Sequence, residues 1–316
     1  MIYKEMTGRL GNQLFQYATI KAYKKKYNLD DPIVLDFSKL KLLGTEDEGF
    51  CDELKYFKTN YLTNRIKVKR LLVLFNIFIN KFIFSYLYKN NEKKVYNFQK
   101  KHQHFFNKIG LFFFSFGYVE FEKTNKKNKY FYGDFESPKY FDFIKTDLMK
   151  EFEPKKEVLK TNLELYKQII ESESVCISIR RGDFVSNETI KKKHYICNPK
   201  YYYKSIEYIK KNVKKPRFVV FSDDIKWCKE NLDFPDNTLY ESGQDPVWEK
   251  LRLMYSCKHF IISNSTFSWW AQYLSRNDKK IVVAPDRWKN YSYKKDGTFD
   301  IYEDNWEKIK VGDINE

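Results

Sequence analysis

The chain has 316 residues, enough for two domains, and its 42% hydrophobic content with only 11 Gly and 8 Pro excludes a disordered or low-complexity protein. A formal charge of +16 favours polyanionic partners, whether nucleic acid, an anionic membrane surface or a phosphorylated small molecule, and carries no information about fold. Five cysteines without a CxxC pair argue against a disulfide framework or a zinc site and suit a reducing compartment, and the opening "MIYKEMTGRL" does not read as a signal peptide.

In chain order, Ile2 to Met6 reads as a short strand. "TGRLGN" follows as a loop whose Gly8 and Gly11 permit tight turns. A helix begins at Asn12, with Leu14, Phe15, Ala18 and Ala22 on one face. "PIVLDF" (Pro32 to Phe37) reads as the next strand. From about 39 to 129 the pattern reads as a basic, helical insert. Within it, Leu71 to Lys89 is long and apolar but interrupted by Asn76, Asn80 and Lys81. That interruption disfavours a membrane span and leaves two readings, a core helix or a helix lying in the plane of an anionic membrane. "YFYGDFESPKYF" (Tyr130 to Phe141) breaks at Gly133 and Pro138.

The second half alternates strands and helices: "VCISI", "YYYKSIEYIKKNV", "RFVVFS", "IKWCKENL", "PVWEKLRLMYSC", "HFIIS", "STFSWWAQYLS" and "KIVVAP". This alternation predicts an α/β fold with a doubly wound parallel sheet. Ligands of such sheets bind beyond the carboxyl ends of the strands. Three strands here end in polar chemistry: Ser178 to Asp183, then Ser222, Asp223 and Asp224, then Ser263, Asn264, Ser265 and Thr266. Arg180 and Arg181 offer forks for phosphate oxygens, and the hydroxyls and free N–H groups at a helix start offer more donors. Asp223 and Asp224 can accept from ribose or a base edge, or cap a helix. The pattern suits a nucleotide diphosphate. Phe267, Trp269 and Trp270 read as the packing that keeps the "SNST" loop still. No histidine pair has convincing metal-ligand spacing, so no metal site is expected.

The blocks "GRLGNQLFQYA", "RRGDF", "FSDDIKWC", "SNSTFSWWAQYL" and "VVAPDRW", in this order, resemble the alpha-1,2-fucosyltransferases of glycosyltransferase family 11. The resemblance implies a GT-B-like fold, two Rossmann-like domains facing a cleft, with 1–155 on the acceptor side and 156–316 binding the GDP-sugar. It implies metal-independent, inverting transfer of L-fucose from GDP-β-L-fucose to the 2-hydroxyl of a galactose-terminated oligosaccharide or glycolipid. No cofactor beyond the donor is expected, and no nucleic acid. The expected location is cytoplasmic, with peripheral contact to the inner membrane face as the alternative raised by Leu71 to Lys89. Donor contacts are expected from Ser178, Arg180, Arg181, Ser222, Asp223, Asp224, Ser263, Asn264, Ser265 and Thr266. Gly11, Asn12 and Gln13 are expected to line the acceptor side. Arg180 would stabilise the leaving diphosphate, and Asp183 or Glu136 would take the acceptor proton. One departure stands out: the family motif usually begins with histidine, and here the position is Ser178. Two alternatives stay open, a transferase of another GDP-deoxysugar and a non-catalytic polyanion- or nucleic-acid-binding protein motivated by the charge.

Overall fold

The computed structural model describes residues 1–64, 75, 78–87, 91–114, 117–290 and 300–311. The chain divides near residue 152 into two compact units, each built on its own parallel sheet.

In the first unit, β1 (Ile2–Glu5) leads through a loop into α1 (Leu10–Lys26), followed by β2 (Ile33–Asp36) and β3 (Leu62–Thr63). Then come α2 (Glu92–Lys108), β4 (Leu111–Phe113), β5 (Lys129–Tyr132) and α3 (Lys145–Glu151). The sheet order is β3-β2-β1-β5-β4. The chain builds outward from β1 on one side and returns to its other side through β5, so the order reverses between β1 and β5. Aromatic rings fill the space around these strands. Phe112 stacks on Phe131 at 4.4 Å, and Tyr23 from α1 meets both edge-on. The stretch expected to be a helical insert contributes β3 and β4 to this sheet. Both strands are too short to show a period, and "LFFF" reads equally well as buried helix.

Of the Leu71 to Lys89 segment, residues 71–74, 76–77 and 88–89 lie outside the described residues. Phe78–Leu87 is a wide, π-type helical stretch. Ile79 is buried in a small core with Val95, Phe106 and Leu111, while Phe78, Phe82 and Tyr86 are exposed and stack on one another. The described part therefore has one core face and one open aromatic face. Among the described residues, no helix is long and apolar enough to cross a membrane.

The alternation of β1 turns Lys4 inward, where it is 2% exposed. Burial lowers its pKa to about 8, with nearby Asp134 opposing the shift. Below pH 8 the folded state thus holds a charged, buried lysine at a cost absent from the unfolded chain. That cost is present in full below pH 8 and is relieved as pH rises toward the unfolded value, because there the unfolded chain binds more protons. Lys4→Met is expected to stabilise the first unit by about 1–3 kcal/mol at pH 7. The gain should shrink between pH 8 and 10. Urea unfolding of both proteins across that range checks it, and a gain independent of pH would count against buried charge as its cause.

In the second unit, α4 (Leu163–Glu171) precedes the long central strand β6 (Glu173–Ile179). Two short helices follow, α5 (Gly182–Ser186) and α6 (Glu188–His194), then α7 (Pro199–Asn212) and β7 (Pro216–Ser222). The chain continues through α8 (Ile225–Asn231), β8 (Leu239–Tyr240) and α9 (Val247–Tyr255). It ends with β9 (His259–Ile261), α10 (Thr266–Tyr273), β10 (Val282–Pro285) and β11 (Glu307–Ile309). Helix starts follow capping chemistry. The Asn198 side chain accepts from the Tyr201 N–H with Pro199 in the first turn, and the Asp224 side chain accepts from the Trp227 N–H. The sheet order is β11-β10-β9-β6-β7-β8, so the direction of building reverses between β6 and β9.

The C-terminal half is not one continuous block. Residues 300–302 belong to the first unit, where Asp300 accepts from the Tyr118 N–H and pairs with Lys139 at 2.7 Å. Cys176, Cys197, Cys228 and Cys257 are buried, and Cys51 is half-buried.

Candidate functional site

The strand order of the second unit reverses between β6 and β9, and ligands of such sheets generally bind beyond the strand ends at such a reversal. β6 delivers Arg180 and Arg181 there, and β7 delivers Asp223 and Asp224. The Arg180 guanidinium is held from two sides, by Asp183 at 2.5 Å and by Asp223 at 2.6 Å, and lies over the Phe184 ring. The second oxygen of Asp223 accepts from the Arg181 N–H at 2.8 Å. The Arg181 guanidinium stacks 3.4 Å above Trp227 and donates from Nε to Asp224 at 3.2 Å. Asp224 also caps α8 through its other oxygen, as the helix-cap reading expects. Gly182 leaves room for the arrangement: a Cβ there would lie 2.6 Å from an Asp223 carboxylate oxygen and force that side chain to shift. Fork donors fixed in this way can meet a phosphate without reorganising.

The "SNST" loop enters α10, with Ser265 at its N-cap position and Thr266 as its first residue. Trp269 and Trp270 are fully buried behind it. Trp269 stacks on Tyr273 at 4.8 Å and meets Trp270 edge-on at 5.1 Å. Ser265 and Thr266 are half-buried at the helix start, where a dipole and N–H groups favour an anion.

Four residues expected at the donor make hydrogen bonds inside the protein. The Asn264 amide is buried and donates to the carbonyls of His194 and Trp288 at 2.9 and 3.0 Å, pinning α6 and the loop after β10. Ser178 lies in a buried chain of hydroxyls, 2.6 Å from Ser268, which is in turn 3.0 Å from Ser263. Ser178 and Ser263 thus tie β6 and the loop after β9 to α10. Ser222 is also buried, and its hydroxyl accepts from the Asp224 N–H. Ser178→His is therefore expected to overpack this chain and lower stability by about 1–3 kcal/mol. Thermal unfolding followed by circular dichroism checks it. An unchanged midpoint would mean that the hydroxyl chain tolerates an imidazole.

Three neighbours went unnoticed in the sequence. Trp227 carries Arg181, and its place three residues after Asp224 was the available signal. Lys250 donates to the Ser222 carbonyl and pairs at 2.8 Å with buried Glu241. His194 stacks on Phe184 at 5.2 Å. Burial, followed by the charges of Lys289 and Lys193, lowers the His194 pKa to about 4, so it is neutral near pH 7. Among the described residues, no cluster of His, Cys, Asp or Glu could hold a metal ion.

The first unit presents a smaller constellation at its own reversal. After β1, Thr7 donates from its hydroxyl to Asp134 at 2.9 Å. Buried Gln16 donates to the Thr7 hydroxyl and carbonyl and accepts from the Thr7 N–H. Gln16 also reaches Asp134 at 3.3 Å, which locks the end of β1 to the end of β5. Gln13, expected to line the acceptor side, is fully buried. Its amide donates to the carbonyls of Gly8 and Cys51 and accepts from the Glu53 N–H, so it holds loops and does not line a surface. Gly11 is buried too, and Asn12 is half-buried beside Gly8, which has φ +70°. Glu136 follows Phe135, a buried aromatic residue at φ +57°. A bulky residue in that region is strained, and such strain gathers at functional sites.

The profile described as "Glycosyl transferase family 11" matches residues 1–310. An "Alpha-1,2-colitosyltransferase" from Escherichia coli is 29% identical over 98% of this chain and 99% of its own length. Human "Galactoside alpha-(1,2)-fucosyltransferase 1" is 32% identical over 33% of this chain and 29% of its own length. A crystal structure of the fucosyltransferase NodZ from Bradyrhizobium shares the fold, with a TM-score of 0.50 at 10% identity over 87% of this chain and 91% of that one.

Proposed function

Because this chain belongs to glycosyl transferase family 11, we propose that it moves L-fucose from GDP-β-L-fucose to the 2-hydroxyl of a galactoside, with inversion and without a metal. The observation that carries the reading is the guanidinium pair fixed by Asp183, Asp223 and Asp224 at the reversal of the second sheet. In the displacement, the bond from fucose to the β-phosphate oxygen breaks as the acceptor oxygen attacks, and negative charge grows on the diphosphate. Arg180 spends only part of its fork on the two carboxylates and offers the remaining donors to that charge. Arg181, Ser265, Thr266 and the start of α10 would add donors for the phosphates, and Asp223 and Asp224 would accept from nucleoside hydroxyls or the base with the lone pairs their protein partners leave over. The acceptor hydroxyl must pass its proton to a carboxylate. Asp183, which also holds Arg180, is the candidate base that the second unit itself supplies.

A second reading, transfer of a different GDP-deoxysugar, is supported by the colitosyltransferase relative, which aligns along nearly the whole chain. One experiment separates the readings. The purified protein is given GDP-fucose or GDP-colitose with a panel of β-galactosides, and GDP release is compared with acceptor-free controls. Acceptor-dependent release from GDP-fucose supports the first reading, and release from GDP-colitose alone supports the second. Release from neither donor, with tight and steeply salt-dependent binding to unrelated DNA, would return the polyanion-binding alternative.

A further inference from the structure

We propose that the first unit carries a second ligand site, a cleft that takes one neutral pyranose ring of a glycan. The cleft has a volume of about 270 Å³, at the small end of the roughly 300–1,000 Å³ typical of ligand pockets, which suits a single ring. Its walls are aromatic. Tyr23, Phe121 and Tyr140 are buried, Tyr118 is half-buried, and Phe143 stands 59% exposed at the rim. Such faces cover the apolar C–H face of a sugar. They are also fixed in place. Phe121 stacks on Tyr140 at 5.3 Å, and Tyr118 meets Tyr140 edge-on at 4.9 Å. The Tyr23 hydroxyl is spent on the Glu122 carbonyl. The Tyr140 hydroxyl accepts from the Val119 N–H and donates to the Gly117 carbonyl.

The polar lining points to a neutral, hydroxyl-rich ligand. Lys26 is paired with Glu120, and Lys139 with Asp300, so neither charge calls for an anion. Thr19, which lines the cleft, is 2% exposed, and its hydroxyl has no hydrogen-bond partner among the described residues. A buried hydroxyl left without a partner is costly, and rotation of the Thr19 side chain about its Cα–Cβ bond would turn it to a ligand hydroxyl in the cleft that the residue lines. Thr19 and Tyr23 lie well along α1 from the glycine loop. Tyr23 is about 16 Å beyond Asn12 along the helix axis, so the cleft is separate from the Gly8 to Gln13 end of the helix. The choice of a glycan as ligand class rests on the transferase reading, and the cleft itself does not.

The test titrates methyl β-D-galactopyranoside into the GDP-loaded protein to about 20 mM, because single-sugar affinities fall near the millimolar range. Binding is read by saturation-transfer NMR. Thr19→Val keeps the side-chain shape and removes only the orphan hydroxyl. It is expected to leave thermal stability equal or higher while weakening the sugar about two- to ten-fold. Phe143→Ala, at the exposed rim, should remove most of the cleft's share of the signal, the share that Thr19→Val weakens, and Arg180→Ala should leave that share intact. Sodium galacturonate should bind no better than the neutral glycoside. Sugar binding unchanged in both Thr19→Val and Phe143→Ala, or tighter binding of galacturonate, overturns the proposal. Thermal stabilisation by GDP, measured in the same samples, reports on the transferase reading separately. A Phe143-dependent sugar signal without any GDP effect would leave the cleft standing and remove that reading.

Discussion

Arg180→Ala is expected to lower acceptor-dependent GDP release by about 10²–10³-fold, equivalent to roughly 2.7–4 kcal/mol of lost transition-state stabilisation. The guanidinium is fixed from two sides, through Asp183 and Asp223, with Phe184 beside it. Pre-orientation of this kind makes a donor effective at the moment charge develops, because nothing has to reorganise. The fold should survive, since the ion pairs lost are partly exposed and pairs of that kind contribute about 0–1 kcal/mol. Arg180→Lys should rescue little, because a single ammonium cannot span Asp183, Asp223 and a phosphate together. Steady-state rates for wild type and both variants, with circular dichroism on the same samples, decide this. Near-normal turnover in the lysine variant would remove Arg180 from the mechanism.

The largest effect on stability is expected at Trp269. Trp269→Ala empties a fully buried site between Tyr273 and Trp270 and should cost the second unit about 3–5 kcal/mol. A two-unit chain need not unfold in one step, so the variant should show an early urea transition that the wild type lacks. GDP protection of that transition should also weaken, because α10 begins at the loop that presents Ser265 and Thr266. Trp269→Phe keeps most of the ring contacts and should lose much less. A single transition at the wild-type midpoint in the alanine variant would show that this tryptophan does not anchor the loop.

Much of the second sheet was legible because its strands are apolar runs that stop abruptly at polar groups. "VCISI" into "RRGD" and "RFVVFS" into "DD" mark both the strand and its carboxyl end. β3, β4, β8 and β11 escaped because two or three residues cannot show a period. The polar residues at those ends were legible as a group but not one by one. Arg180, Arg181 and Asp223 do converge. Asn264, Ser178 and Gln13 sit at equally suggestive positions and spend their polar atoms inside the protein. An amide that pins a loop and an amide that grips a ligand are the same letter, and only the partner's position separates them. The burial of Lys4 carries no mark in the sequence, since nothing in a short strand shows that it is covered on both sides.

The buried thiols bear on how this protein can be handled. Burial pushes the Cys197 and Cys51 thiols up to about 12 and Cys228 up to about 11, so the reactive thiolate form is scarce at each of them near pH 7. Cys176 is raised as well, again by burial. In the folded state the chain should respond to maleimides at neutral pH almost as a cysteine-free protein does. One cysteine introduced on an exposed position of each unit would then take a fluorophore without any native thiol being removed. The emission of each label, followed with and without GDP, would report whether its own unit responds to nucleotide.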